Sequence, residues 1–454
     1  MPSRRISGWR REALRTNLWF VPAIMVALAV VLFLATYWLD RLVGEHDIAL
    51  PGWVASGSAD TARQVLIGIA AAVITVAGVV FSITILALQL ASQQFGPRML
   101  RNFIRDRGTQ VSLGAFVATF VYAMLTLGSI GHVGPAEFVP HLSVTVALAL
   151  TMIDVGILIY FIHHVAVSIQ LTSVVAGIAH DYRSVVGQLV RDTSPLADGV
   201  EAADVREARE RLAREGAVVH AAVSGFLQAI GHDRLLRIAR SSNAHIRLLS
   251  RPGQFVVQGQ PLAIVWPPAA VDQVSMWLAR AHIVGPNRTL IQDPAFAVDQ
   301  LVEVAIRALS PAVNDTFTAL NCIDWLGDCL CRTARQSLPD GVYRDEDGEV
   351  RLLEPTITLD FLVKRASDKI RQAGRGMPAV LIRQLENLQR VAQALGPARR
   401  SRAIAAQAEM MRRSCEESIP DPSDRADVLV AYEALVRDMD AHDVEAIPEQ
   451  TTAD

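Results

Sequence analysis

Four stretches of the chain are apolar over lengths close to or above the ~20 residues that a helix needs to cross a bilayer. They run from Leu18 to Leu39, Val65 to Leu90, Val111 to Ile130 and Ser143 to Ile162. Hydrocarbon offers no partners to backbone amides, so each stretch is expected to be a helix. The first is longer than the roughly 7 to 15 apolar residues of a signal peptide, and no small-residue cleavage site follows it, so it reads as a retained span. A length of 454 residues leaves room for about two to four units of ordinary domain size. The long apolar runs all fall before His163, and the remainder mixes charged and apolar residues as a soluble domain does. The pattern predicts an α-helical integral membrane half followed by a mixed cytosolic half.

Arginine placement predicts orientation. Arg4, Arg5, Arg10, Arg11 and Arg15 precede the first stretch, and Arg98, Arg101, Arg105 and Arg107 lie between the second and third. The loop from Asp40 to Gln64 holds only Arg41 and Arg63, and "GHVGPAEFVPH" holds no lysine or arginine. The positive-inside rule then places both termini in the cytoplasm, and in a bacterium the membrane is the inner one.

Composition narrows the chemistry. Lys364 and Lys369 are the only lysines, which leaves no GK[ST] phosphate loop. A formal net charge of -3 with no concentrated basic stripe argues against nucleic acid as a partner. No GxSxG elbow, HExxH or strand-linked GxGxxG is present, so the sequence predicts no enzyme, no cofactor and no metal site. Cys322, Cys329, Cys331 and Cys415 fall in the cytosolic half without a CxxC, and are expected to be reduced packing thiols.

After His163 and His164 the helical period continues through "VAVSIQLTSVVAGIAHDYRSVVGQLVR", which predicts that the fourth span extends out of the membrane as one long helix. A linker, "DTSPLADGVEAAD", and a charged helix closed by Gly216 follow, the latter read as a solvated face. From 217 to 267 apolar and polar residues alternate around Pro252-Gly253 and Gly259, which predicts a small β-barrel or sandwich with a short helix at "DRLLRIAR". The turn "RPGQFVVQGQPL" is similar to that of biotinyl and lipoyl carriers, but it lacks their modifiable lysine, so a packing or assembly role fits better. The rest reads as mainly helical. A helix starts at Asp293-Pro294 with Asp299, Glu303 and Arg307 as an intrahelical charge set, Asn314 or Asp315 caps another, and a hairpin turns at Asp347-Gly348. The expected domains are therefore 1–165, four spans; 166–216, helical extension and linker; 217–267, barrel-like; and 268–454, mainly helical.

"LALQLASQQFGPRMLRNF" at 86–103 and "IRALSPAVNDTFTALNCID" at 306–324, together with the four-span layout, resemble the bacterial membrane proteins grouped as domain of unknown function 2254. The resemblance covers nearly the whole chain and implies an inner-membrane location and a shared architecture. It carries no activity and no catalytic residues.

At ~100° per residue, Gly68, Ala71, Thr75, Gly78, Ser82, Gln89, Gln93 and Gly96 share a narrow wedge of the second span, with Ser92 at its edge and Leu86 as its one large apolar member. Small residues permit close helix packing. Glutamines do not serve that purpose, and a water-filled vestibule would accept their amides, with Leu86 as a hydrophobic constriction. The pattern predicts a homo-oligomeric ion or small-solute channel lined by Thr75, Gly78, Ser82, Leu86, Gln89 and Gln93, with the lipid bilayer and further copies of the chain as its partners. Asp154, near the centre of the fourth span, is expected to face the protein interior or a cavity, either protonated or bonded to a hydroxyl such as Thr75, Ser82, Thr119 or Tyr122, which leaves a structural hydrogen bond between helices and a cation or proton site beside the pathway as its two readings. The alternative is a membrane-anchored interaction or stress-response scaffold whose spans only anchor and oligomerise.

Overall fold

The computed structural model describes residues 19–46, 54, 57–95, 106–133, 136–168, 170–191, 202–396 and 401–445. The arginines before the first span, Gly96 to Arg105, most of the linker from Asp192, and the side chains of Ser92 and Gln93 lie outside the described residues. The chain divides into two compact units, one ending at Ser173 and the other running from Val174.

In the first unit four helices are long and apolar enough to cross a membrane: α1 (Phe20–Glu45), α2 (Ala59–Phe95), α3 (Arg107–Ser129) and α4 (His141–Ser168). Each overruns the stretch predicted for it by a turn or more at one end at least, because polar residues at the ends continue the helical hydrogen bonding. Two short antiparallel strands, β1 (Gly131–Val133) and β2 (Ala136–Phe138), lie between α3 and α4. Span three packs against the other three and is the most enclosed. Its small residues permit this. A methyl group added at Gly114 would meet the Met25 sulfur at 2.6 Å and the Pro22 Cα at 3.1 Å, so α1 and α3 approach closely there. Instead of one long fourth helix there are two, because α5 (Leu171–Arg191) is separate from α4, and the Gln170 N–H bonds back only three residues, to the Val167 carbonyl.

The second unit is mixed. Helix α6 (Ala203–Glu215) is followed by β3 (Ala217–His220), β4 (Gly225–Ile230), α7 (His232–Ser241), β5 (His245–Leu248), β6 (Phe255–Val256), β7 (Pro261–Trp266), α8 (Val271–Ala281) and β8 (His282–Gly285). Then come α9 (Pro294–Ala308), α10 (Thr316–Ala334), β9 (Val342–Arg344), β10 (Val350–Leu353), α11 (Leu359–Ala373), α12 (Pro378–Leu395), α13 (Arg402–Ser418) and α14 (Pro422–Glu445). The strands form a five-stranded sheet in the order β3-β7-β5-β10-β9 and a three-stranded sheet in the order β6-β4-β8. The stretch 217–267 is thus divided between two sheets and is not a barrel of its own. The hairpin turning at Asp347-Gly348 completes the larger sheet, with β10 parallel to β5, because Leu352 is fully buried in the core with Ile246, Leu248 and Val265. Helices α9 to α14 pack in the cyclic order α9, α10, α12, α14, α13, α11.

Two charge expectations change. Val205, Ala208 and Leu212 of α6 are buried against Val350 and Leu353, so this charged helix has an apolar seam as well as a solvated face. Asp299 points away from an intrahelical pair: it accepts from Arg288 and, through both oxygens, from Arg365. Arg288 also bonds Asp293 through Nε at 2.9 Å and Nη2 at 2.6 Å. Asp293 is fully buried, and burial pushes its carboxyl upward against the opposing pull of Arg288. Asp315, not Asn314, caps α10, accepting from the Thr318 N–H at 3.0 Å.

Removing Arg288 would leave Asp293 buried without its cation. Arg288→Ala is therefore expected to cost about 3 to 5 kcal/mol, read as a lowered urea midpoint for the second unit. An unchanged midpoint would show that the pair holds nothing together.

Candidate functional site

Span two has two unlike faces. Ala62, Leu66, Ile69, Val73, Ala77, Val80 and Ala87 are buried, at the three- and four-residue spacing of a single helical stripe that packs on α3. The rest of the helix surface is exposed: Gly68, Ala71, Thr75, Gly78, Ser82, Leu86 and Gln89 run along it as a stripe, flanked by the large apolar Ile67, Ile74, Val79 and Ile85. A methyl group added at Gly68 or Gly78 would meet nothing within 4 Å. The Thr75 hydroxyl donates to the Ala71 carbonyl at 2.7 Å, and that of Ser82 to the Gly78 carbonyl at 2.9 Å. Leu86 is 55% exposed. Gln93 lies in the helix, and its side chain is outside the described residues. The small stripe is therefore not the seam between spans of one chain. The outward faces of α1 and α4 likewise expose large apolar residues, Leu28, Val31, Leu34 and Trp38, and Met152, Ile153, Ile159 and Ile162.

The interior of the four-helix unit is polar at three levels. At one end Asp40, on α1, caps α4: its carboxylate accepts from the N–H groups of Leu142 at 2.8 Å and Ser143 at 2.9 Å and from the Ser143 hydroxyl at 2.6 Å. A carboxylate is well placed at this helix N-terminus, where amides are unpaired and the dipole is positive. The buried Tyr122 hydroxyl lies 2.8 Å from that of Thr36 and donates to the Ser143 carbonyl at 3.3 Å. Midway, Asp154 is buried and is hydrogen-bonded by Thr119, the one of the four predicted hydroxyls that it meets. Its Oδ2 has no partner. Asp154 and the stripe are thus not brought together within one chain.

At the opposite end Asp106 caps α3, accepting from the Thr109 N–H at 2.9 Å and its hydroxyl at 2.7 Å. His164 Nε2 lies 2.7 Å from the same carboxylate, its ring stacked on Tyr160, and Gly108 leaves room for it, since a methyl there would sit 2.5 Å from Nε2. Burial pushes the Asp106 carboxyl upward, but the bonds from Thr109 and His164 outweigh it and hold the group below its ordinary value.

Asp40 and Asp106 were not singled out in the sequence. Asp106 carried a usable signal, an N-cap aspartate three residues before Thr109 at the start of an apolar run. Asp40 did not, because the amides that it caps are 102 and 103 residues away.

The family model described as "Predicted membrane protein (DUF2254)" matches residues 15–390. Uncharacterized proteins of Mycobacterium bovis and Mycobacterium tuberculosis are each 35% identical over 382 residues, 83% of this chain and 72% of theirs. No solved structure matches.

Two outcomes follow for the capping carboxylates. Asp40→Ala leaves buried amides without an acceptor and should destabilise the four-helix unit by about 1 to 3 kcal/mol in detergent unfolding. The Asp106 contribution, with its folded value depressed, is fully present at neutral pH. It should be lost as pH falls below 3.8 through that folded value. Asp106→Asn should remove that acid-side slope, and a slope that survives would assign it to other groups.

Proposed function

The chain belongs to the DUF2254 family of predicted membrane proteins, and on that premise we propose that several copies assemble with their second spans around a common axis, forming a conduit for an ion or small solute. In this reading Thr75, Gly78, Ser82, Gln89 and Gln93 line the path, Leu86 is its narrowest ring, and the second unit serves assembly or gating. The membrane is the bacterial inner membrane with both termini cytoplasmic, and the chain carries out no catalysis. The supporting observation is the stripe itself: between large apolar residues that suit lipid tails, α2 exposes a run of small and hydroxylated residues, and an added methyl at its Gly68 or Gly78 would meet nothing in its own chain.

A second reading rests on a specific feature of the same stripe. Because Thr75 and Ser82 satisfy their hydroxyls on their own backbone, the stripe can also be a dry seam between copies, which would make the protein an anchored scaffold.

Thiol chemistry separates the two. Burial pushes the thiols of Cys322 and Cys329 up to about 12 and raises that of the buried Cys415, so these are poor competitors for an aqueous thiol reagent at neutral pH, and the half-buried Cys331 can be replaced by serine. Single cysteines at Thr75, Ser82 and Gln89 should react along the whole series if the path is wet. Silence at Thr75 and Ser82 would support the dry seam. Leu86→Ser is expected to raise ion leak through reconstituted vesicles about tenfold or more, a figure that corresponds to ~1.4 kcal/mol removed from a barrier.

A further inference from the structure

Asp154 is the fourteenth residue of a 28-residue span, about 20 Å along the helix from either end at 1.5 Å per residue. It is 5% exposed, one carboxyl oxygen is bonded by the Thr119 hydroxyl, and the other has no partner. The groups that face α4 offer it no counter-charge. Span two has no ionisable side chain between Arg63 and Gln89, span three carries Tyr122 and, at its far start, Arg107, and span one carries Tyr37, Asp40, Arg41 and Glu45, all in its last turns towards the end where β1 and β2 lie. On α4 itself the nearest are Tyr160, His163 and His164. One neutral hydroxyl is too little for an ionised carboxylate in a low-dielectric interior. A metal cation is no better served, since hard cations take about six or more oxygens and the described residues place only the carboxyl and Thr119 here. A proton needs a single oxygen.

The surroundings differ on the two sides. Towards the Asp40 end, Thr119 is followed one turn on by Tyr122, which is joined to Thr36 and Ser143, and Ser143 to Asp40. Towards the His164 end, the fully buried rings of Phe116 and Phe161 occupy the levels between Asp154 and the Asp106–His164 pair.

We propose that Asp154 is a proton-binding site at the centre of the four-helix unit, occupied at neutral pH and exchanging with water from the Asp40 end through Tyr122, with the two phenylalanines closing the other side. The exchange needs no co-reactant: a proton from water adds to a carboxylate oxygen and leaves by the same route. A single copy of the chain suffices, so a result against the oligomeric conduit would leave this site standing.

The test uses the full chain in lipid vesicles. Infrared spectra at pH 7 should show a protonated carboxyl C=O band in the parent that is missing from Asp154→Asn, and the band should shift in D2O. Tyr122→Phe should slow that shift several-fold, whereas His164→Gln should leave its rate unchanged. No band lost in Asp154→Asn, or slowing by His164→Gln and not by Tyr122→Phe, would overturn the proposal. Should Asp154→Asn not fold, the parent protein can be treated with dicyclohexylcarbodiimide, which starts its reaction by taking the carboxyl proton onto nitrogen as the oxygen bonds to its central carbon. Peptide mapping should then find Asp154 labelled several-fold more than Asp40 and Asp106, whose carboxylates each accept bonds from backbone and hydroxyl donors. Equal labelling of the three would contradict it.

Discussion

Inside hydrocarbon a hydrogen-bonding group must find its partner within the protein, and that requirement organises the four-helix unit. Span three meets it by carrying its hydroxyls inward. Ser112 and Thr126 return to their own backbone, Thr119 meets Asp154, and Tyr122 ties span one to span four. Asp40 closes the start of span four with three accepted bonds, so two helices far apart in the chain are fixed in register by one carboxylate. The outward faces of α1, α2 and α4 carry exposed large apolar side chains, where lipid can take them.

Against this background two features depart from the pattern. A stripe of small and hydroxylated residues runs along the outward face of span two among its bulky apolar ones, and Asp154 keeps one buried oxygen unpartnered. The first faces away from the rest of the chain, and the second points inward. They sit on different surfaces, which is why the conduit and the proton site are separate claims.

The four spans were legible because a run of apolar residues is a local signal that length alone decodes. The wedge on span two was legible for the same reason, as helical spacing determines which residues share a face. Which way that face points was not, since Ala and Gly suit a seam within the chain as well as one between chains. The sheets were harder. Strands between 217 and 267 were visible as alternation, but β10 joins β5 from about 105 residues away, and no local pattern announces such a pairing. Asp299 gave the same lesson in charge: spacing suggested Glu303 and Arg307, while the partners it found were Arg288 and Arg365, on other segments. Long-range partners decide these cases, and periodicity does not report them.

The central claim is that the outward face of span two surrounds an axis, and copy number tests it most directly. Native mass spectrometry of the full chain released from lipid nanodiscs counts subunits without assuming any activity. The account predicts a closed ring of four or more copies, enough for second spans to enclose a path. A monomer or a dimer would contradict it, because two helices meeting face to face leave nothing between them to conduct.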